Sequence, residues 1–245
     1  MIFFASDFHL GAPNFKDSLI RERKICKWLT SIENKATEIY FLGDCFDFWF
    51  EYKDVVPKGF TRFLGKLAEL SDKGIKIYFF KGNHDMWTFG YLEQEIGLTV
   101  ISNEKIIERN GKKFYLHHGD GIGPGDKGYK IIKRIFRNRV SVAFFSFLHP
   151  YLGAGLAKFL SKKSRISKGN SDKIYLGDDK EFITIFCKET LKIQHFDYFI
   201  CGHRHLPIVV QLDETSKYIN LGEWVGDFTY AQFDGTDLVL LEFKD

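Results

Sequence analysis

The sequence predicts an α/β fold with an inserted helical segment, and three observations carry that expectation. Over the first 121 residues, short apolar runs alternate with segments of helical period. Residues from about 124 to 175 break that rhythm with mixed apolar, aromatic and basic residues. From 198 onward, short strand-like runs separated by turns return. The whole chain of 245 residues reads as one domain, 1–245, carrying that insertion at about 124–175.

The elements follow in order. Ile2–Ser6 is a short run of buried-strand type. Residues 17–33 space Leu19, Ile20, Ile25, Trp28, Leu29 and Ile32 close to helical period. Glu38–Leu42 is a strand ending at Gly43-Asp44, and Phe60, Phe63, Leu64, Leu67 and Leu70 mark a helix stopped by Gly74. Lys76–Phe80 is a strand ending at Gly82-Asn83-His84-Asp85. Asn110-Gly111 between 105–109 and 112–117 signals a hairpin. In the insertion, Lys130–Arg139 and Val140–Leu160 read as two or three helices interrupted at His149-Pro150, Gly153 and Gly155. Asp179–Gln194 is expected to be a helix and Tyr198–Cys201 a strand; 207–212, 217–221, 228–233 and 237–243 follow, the last two joined at Asp234-Gly235.

Composition narrows the function classes. Hydrophobic residues make up 44% and charged residues 27%, which argues against a disordered or fibrous chain. No run of 18 uncharged apolar residues occurs, which argues against a polytopic membrane protein. Cys26, Cys45, Cys187 and Cys201 are far apart with no C-x-x-C pair, the pattern of reduced thiols in a cytoplasmic protein. Ile2-Phe3-Phe4-Ala5 lacks a basic flank and runs straight into Ser6-Asp7, so a signal peptide is not expected. The net charge is +3, yet twelve Lys/Arg and one acid lie between Lys127 and Lys173, a local +11 against −8 for the remainder. A basic segment on an acidic body suits an anionic partner, although a solvated basic helix face gives the same pattern.

Five predicted strand ends each carry residues that ligate metals: Asp7-x-His9, Gly43-Asp44, Gly82-Asn83-His84-Asp85, His118-Gly119-Asp120 and Gly202-His203-x-His205. Strand ends of an α/β sheet converge on one edge. Residues i and i+2 of an extended segment share a face, so each spaced pair can reach a common point. Any one of these pieces is weak, since an Asp after Gly is usually a turn residue and a lone buried His usually a satisfied core residue. Imidazoles, carboxylates and one amide oxygen together suit Mn, Fe or Zn better than Ca or an all-oxygen Mg site. Two such ions can share a hydroxide and clamp a phosphoryl group for in-line displacement. Asp85 is read either as a partner that orients His84 or as a turn residue. His117 precedes the ligand position and is read as facing away from it.

The ordered set D-x-H, G-D, G-N-H-D, H-G-D, G-H-x-H, over residues 7–205, resembles the calcineurin-like metallophosphoesterase superfamily. The resemblance implies two packed mixed β-sheets flanked by helices in a four-layer αββα sandwich, with an inserted helical cap. It also implies two divalent metal ions, Mn²⁺ being favoured. Asp7, His9, Asp44 and His205 would hold one ion, and Asp44, Asn83, His118 and His203 the other. His84 would be the catalytic acid or transition-state stabiliser.

Within the superfamily the chain is most similar to the UDP-2,3-diacylglucosamine pyrophosphatases of lipid A synthesis. Ser6-Asp7-Phe8-His9-Leu10, the run Gly43 to Trp49, Asp126-x-Gly128-Tyr129 and Asn170-x-x-Lys173 carry this similarity. It implies hydrolysis of the substrate pyrophosphate to UMP and 2,3-diacylglucosamine 1-phosphate by attack of a metal-bridging hydroxide. Asp126, Asn170 and Lys173 would touch the substrate, with Ser164 and Ser167 competing for a further contact. Phe136, Val142, Phe144, Phe145, Phe147, Leu148 and Leu152 could line an acyl groove, and Lys127, Lys130, Arg134, Arg137 and Lys173 could meet phosphate. The implied partner is an anionic, lipid-linked nucleotide sugar, with peripheral contact at the cytoplasmic face of the inner membrane. Nucleic acid is not expected, because the basic residues alternate with large apolar ones.

One position departs from the pattern: the characterised branch has Arg where this chain has His84. Another nucleotide, nucleotide sugar or phosphodiester is therefore the alternative substrate. A non-catalytic scaffold is disfavoured, because every ligand position and His84 are present.

Overall fold

The computed structural model describes residues 1–124, 127–157, 159 and 174–244. Its strands are β1 (Ile2–Ala5), β2 (Glu38–Phe41), β3 (Lys76–Phe80), β4 (Thr99–Ile101), β5 (Lys105–Arg109), β6 (Lys112–Leu116), β7 (Tyr198–Cys201), β8 (Pro207–Gln211), β9 (Lys217–Leu221), β10 (Thr229–Phe233) and β11 (Leu238–Glu242). Its helices are α1 (Phe15–Ile32), α2 (Thr61–Asp72), the single turn α3 (Tyr91–Gln94), α4 (Lys127–Arg137), α5 (Arg139–Ser146) and α6 (Phe182–Leu191). Residues 150–157 are also helical.

One sheet has the order β11-β10-β1-β2-β3-β4 and the other β5-β6-β7-β9-β8. In the first, β1 to β4 run parallel and β10 and β11 are antiparallel additions. In the second, β6, β7 and β9 run parallel between antiparallel edge strands.

Period-2 alternation builds the layers. In β1, Ile2 and Phe4 enter an inter-sheet core with Tyr40, Phe114, Leu116, Ile200 and Ile219. Phe3 and Ala5 face the other way, against Ile25, Trp28 and Leu29 of α1 and Phe63 and Leu67 of α2. Tyr115, Phe199 and Tyr218 turn outward from the second sheet onto Ile183 and Cys187 of α6. Helices, two sheets and a helix therefore stack in four layers. The central strands are buried on both faces and read as continuous apolar runs.

Differences from the sequence reading are local. Helix α1 begins at Phe15, because the Asn14 side chain accepts from the Asp17 N–H at 3.0 Å and caps it. Ile20, placed on its apolar face, is instead exposed. The edge strand β4 was not expected; three residues are too few to show alternation. Helix α6 starts at Phe182 rather than Asp179, after a turn at 178–180. Asn110 and Gly111 both take positive φ, as a two-residue hairpin requires. No helix among the described residues is long and apolar enough to cross a membrane.

Candidate metal centre

The parallel strands β1, β2 and β3 of one sheet and β6 and β7 of the other point their C-terminal ends at the same place. The residues just beyond those ends are the five sequence motifs. The backbone there is forced: Asp7, His9, Asp44, His203 and His205 all have positive φ, between 45° and 69°. That region costs a non-glycine residue of order 1–3 kcal/mol and persists where the surroundings over-determine it. Two glycines make room for the donors. A Cβ on Gly82 would lie 2.1 Å from Asp44 Oδ1, and one on Gly202 would lie 2.4 Å from Asp7 Oδ2.

The structure gathers three donor groups, Asp7–His9–His205, His9–Asp44–His84 and Asp44–His118–His203. His205 Nε2 lies 3.2 Å and His9 Nε2 3.7 Å from Asp7 Oδ1. The His9 and His205 Nε2 atoms are 3.1 Å apart. Asp44 Oδ2 lies 3.4 Å from His118 Nε2 and 4.0 Å from His9 Nε2, so this carboxylate faces both sides of the cluster. Asn83 Oδ1 is 3.2 Å from His118 Nε2. His118 Nδ1 meets the Leu42 carbonyl at 2.7 Å, and donation there leaves Nε2 with its lone pair toward the cluster. All seven expected ligands and His84 therefore share one site. Asp126, Asn170 and Lys173 lie outside the described residues.

Charge in this cluster is concentrated. Burial disfavours the ionised Asp7, but His205 and His9 outweigh it and hold the carboxyl well below its usual range. Burial likewise opposes ionisation of Asp44, and His118, His84 and His9 overcome it. Burial also disfavours charge on His9 and His118. Asp47, Asp7 and Asp44 nevertheless raise His9 to about 10, and Asp44 and Asp7 raise His118 to about 10. His84 is shifted the other way, its pKa lowered by burial.

This donor set fits divalent metal ions. Asp7 Oδ1 and His9 Nδ1 are buried without a hydrogen bond of good geometry, although nitrogens or carboxylates lie nearby. Imidazoles crowded between carboxylates are what a cation of intermediate softness binds.

His9 and His118 carry folded values of about 10 against an ordinary 6.5. Their charged form stabilises the metal-free fold fully below pH 6.5, and that contribution is lost as pH rises through about 10. Chelator-stripped protein is expected to lose about 5 °C or more in Tm between pH 7 and 10. Protein loaded with divalent metal, which replaces those protons, is expected to lose much less. Parallel Tm curves for the two forms would refute the account.

Several residues that hold the site had no assigned role. The Asp47 carbonyl accepts from His84 Nδ1 at 2.9 Å, and its carboxylate is 3.7 Å from His9 Nδ1. Arg21 donates to the His9 carbonyl at 2.8 Å from within α1. Trp224, buried against Phe8 and Trp28, donates its backbone N–H to the Asp7 carbonyl at 3.1 Å. Asp47 could have been noticed three residues after Asp44 in the same motif; Gly222-Glu223-Trp224, just past a late strand, was a candidate to close one side of the site without an assigned role, and Arg21 leaves no local signal. Asp85 is a turn residue: its carboxylate accepts from the N–H groups of Gly82, Asp44 and Phe46. His117 is in none of the three donor groups and accepts from the Gly119 N–H at 2.7 Å.

The cap segment docks beside the site. Lys133 Nζ is 2.7 Å from Asp120 Oδ2, and the Tyr129 hydroxyl donates to the same carboxylate at 2.6 Å. Lys130 donates to the Gly123 carbonyl, and Phe145 stacks on Trp87 and tilts against Phe50. Lys130 and Phe145, expected among the phosphate and acyl contacts, thus help to anchor the cap.

The sequence profile of calcineurin-like phosphoesterases matches residues 1–207. A UDP-2,3-diacylglucosamine hydrolase of Porphyromonas gingivalis is 42% identical over 256 aligned positions, covering 100% of this chain and 98% of that protein. A UDP-2,3-diacylglucosamine hydrolase of Escherichia coli is 27% identical and covers 98% of each chain. The solved structure of the Escherichia coli phosphoesterase YfcE gives a TM-score of 0.47 at 15% identity, covering 98% of this chain and 92% of that one. The profile match begins at Met1 and ends just past His205, so it takes in every strand end that delivers a donor, and the chain belongs to the calcineurin-like phosphoesterase family.

Proposed function

We propose that the protein hydrolyses the pyrophosphate of UDP-2,3-diacylglucosamine, releasing UMP and 2,3-diacylglucosamine 1-phosphate. Similarity over the full chain to a hydrolase of that substrate, at 42% identity, carries the reading. In it, Asp7, His9, Asp44 and His205 hold one divalent ion, and Asp44, Asn83, His118 and His203 the other. Mn²⁺ is the preferred occupant because the donors mix imidazole with oxygen. When bound, the pair of ions supplies Lewis acidity and lowers the pKa of bound water toward neutrality.

The protein's own groups do the rest. Asp44 faces both donor groups and fixes their separation, while its Oδ1 accepts the His84 N–H at 2.8 Å. The Asp47 carbonyl holds His84 Nδ1, which leaves Nε2 as the ring's second hydrogen-bonding atom. Burial keeps that ring neutral in the free protein. A phosphoryl anion beside it favours the protonated ring, which then donates to the leaving oxygen.

The cap supplies what a lipid-linked substrate needs. Phe144, Phe147 and Tyr151 are 72%, 87% and 80% exposed, with Ile131, Ile135 and Leu152 also in solvent. Asp126, Asn170 and Lys173 complete the proposed substrate contacts. Arg134 and Arg137 in the last turn of α4 add attraction to an anionic leaflet, about 1 kcal/mol each near the surface. Binding to phosphatidylglycerol vesicles should therefore fall steeply with added salt in co-sedimentation; salt-insensitive binding would refute the electrostatic part.

The direct test measures UMP release with Mn²⁺ from UDP-2,3-diacylglucosamine and from UDP-N-acetylglucosamine, which lacks the acyl chains. The lipid substrate is expected to give a kcat/KM higher by about 10³-fold, as binding energy from remote groups is used at the reacting centre. His84 favours one competing outcome, cleavage of simple phosphodiesters with no turnover of the lipid. That result would keep the metal chemistry and reject the substrate.

A further inference from the structure

Arg204 stands between His203 and His205, yet its side chain leaves the metal centre. It is buried against Glu181, the residue that immediately precedes α6. There Arg204 Nε lies 3.1 Å from Glu181 Oε2 and Arg204 Nη2 lies 2.7 Å from Glu181 Oε1, a fork-to-fork pair. Both residues are buried. The same two side chains reach the segment that returns from the cap. Arg204 Nη2 donates to the Ile174 carbonyl at 3.0 Å, and Glu181 Oε1 accepts the Leu176 N–H at 3.1 Å.

Three features make this more than a packing detail. His203 and His205 sit at φ of 69° and 48°, so something must hold the loop in a backbone region these residues disfavour. Beyond its side chain, the loop is tied at Arg204 by its N–H to the Gly202 carbonyl and at His203 by its N–H to Asp7 Oδ2. A guanidinium beside two cation donors would also repel a cation, and the Glu181 carboxylate neutralises it.

We propose that Glu181 and Arg204 are positioning residues that register the His203–His205 loop, and so its metal donors, against the segment returning from the cap. The inference rests on His203 and His205 acting as metal donors. A merely stabilising pair and a positioning pair give different results when replaced. An apolar pair of similar volume often restores the stability of a buried ion pair, but it cannot bind the Ile174 carbonyl or the Leu176 N–H.

The test uses full-length protein stripped with chelator and titrated with Mn²⁺ by calorimetry, with Tm recorded on the same samples. Arg204→Lys keeps the charge and loses the fork; it is expected to hold Tm within a few degrees and weaken Mn²⁺ binding about 10-fold. Glu181→Leu/Arg204→Met is expected to recover the Tm lost by Arg204→Met alone while leaving Mn²⁺ binding weakened by about 10-fold or more. Mn²⁺ affinity within twofold of wild type in Arg204→Lys, or recovered along with Tm in the double variant, would overturn the inference. Substrate plays no part, so an error about the substrate leaves the result intact. Wild-type protein that takes up no Mn²⁺ would overturn the metal-centre reading and this inference together.

Discussion

Asp44→Ala is expected to reduce hydrolysis by at least about 10³-fold and to lower bound metal from two ions per chain to fewer than one. Asp44 is the only carboxylate in two of the three donor groups, and its Oδ2 faces both His9 and His118. Removing it takes a shared anionic donor from the proposed pair of ions and removes a carboxylate that raises both His9 and His118. It also frees the His84 N–H that Asp44 Oδ1 accepts. Asp44→Asn separates the causes, since it keeps the size and an acceptor while removing the charge. Metal content by mass spectrometry and kcat with saturating Mn²⁺ check the expectation. Activity within tenfold of wild type in Asp44→Ala would sink the dinuclear reading.

His84→Asn is expected to lower kcat by about 10²–10⁴-fold, the range for loss of a positioned acid or hydrogen-bond donor. The more informative substitution is His84→Arg. Cleaving UDP-2,3-diacylglucosamine to UMP expels a sugar phosphate, whose conjugate acid has a pKa of about 6. Such a group leaves without a proton, so a donor that only stabilises charge suffices. Arginine does that and cannot readily release a proton. An alkyl phosphodiester expels an alkoxide, which needs one. His84→Arg should therefore keep pyrophosphate cleavage within about tenfold of wild type and lose alkyl phosphodiester cleavage by about 10²-fold or more. Equal losses on both substrates would show that His84 gives up its proton in either reaction.

Much of this could be read along the chain. Asp7, Asp44, His118 and His203 stand just past runs of buried-strand type, which marks them in the string as candidate metal donors. The apolar β1 and β7 are legible because burial on both faces leaves no charged position to confuse the pattern. Helix α1 was displaced by two residues because its cap lies outside the periodic stretch. The strand β4 was invisible because its pairing with β3, not its three residues, makes it a strand. Asp85 stayed ambiguous because a carboxylate that closes a turn and one that orients a ring look alike in a string; three backbone N–H groups decided it.

The fold class, the five strand ends that carry candidate donors and the chemistry those residue types support are written along the chain. Each rests on residue type and on neighbours a few positions apart. Which groups hold those candidate donors in place depends on contacts between distant parts of the chain. Trp224 reaches Asp7, Asp47 lies between His9 and His84, and Glu181 grips Arg204. These pairs, separated in the chain by up to 217 positions, meet because parallel strands within each sheet, and for Trp224 and Asp7 the packing of the two sheets, bring their loops to one edge. Close packing brings distant side chains within 3 to 4 Å without leaving a periodicity or spacing that a single sequence can display.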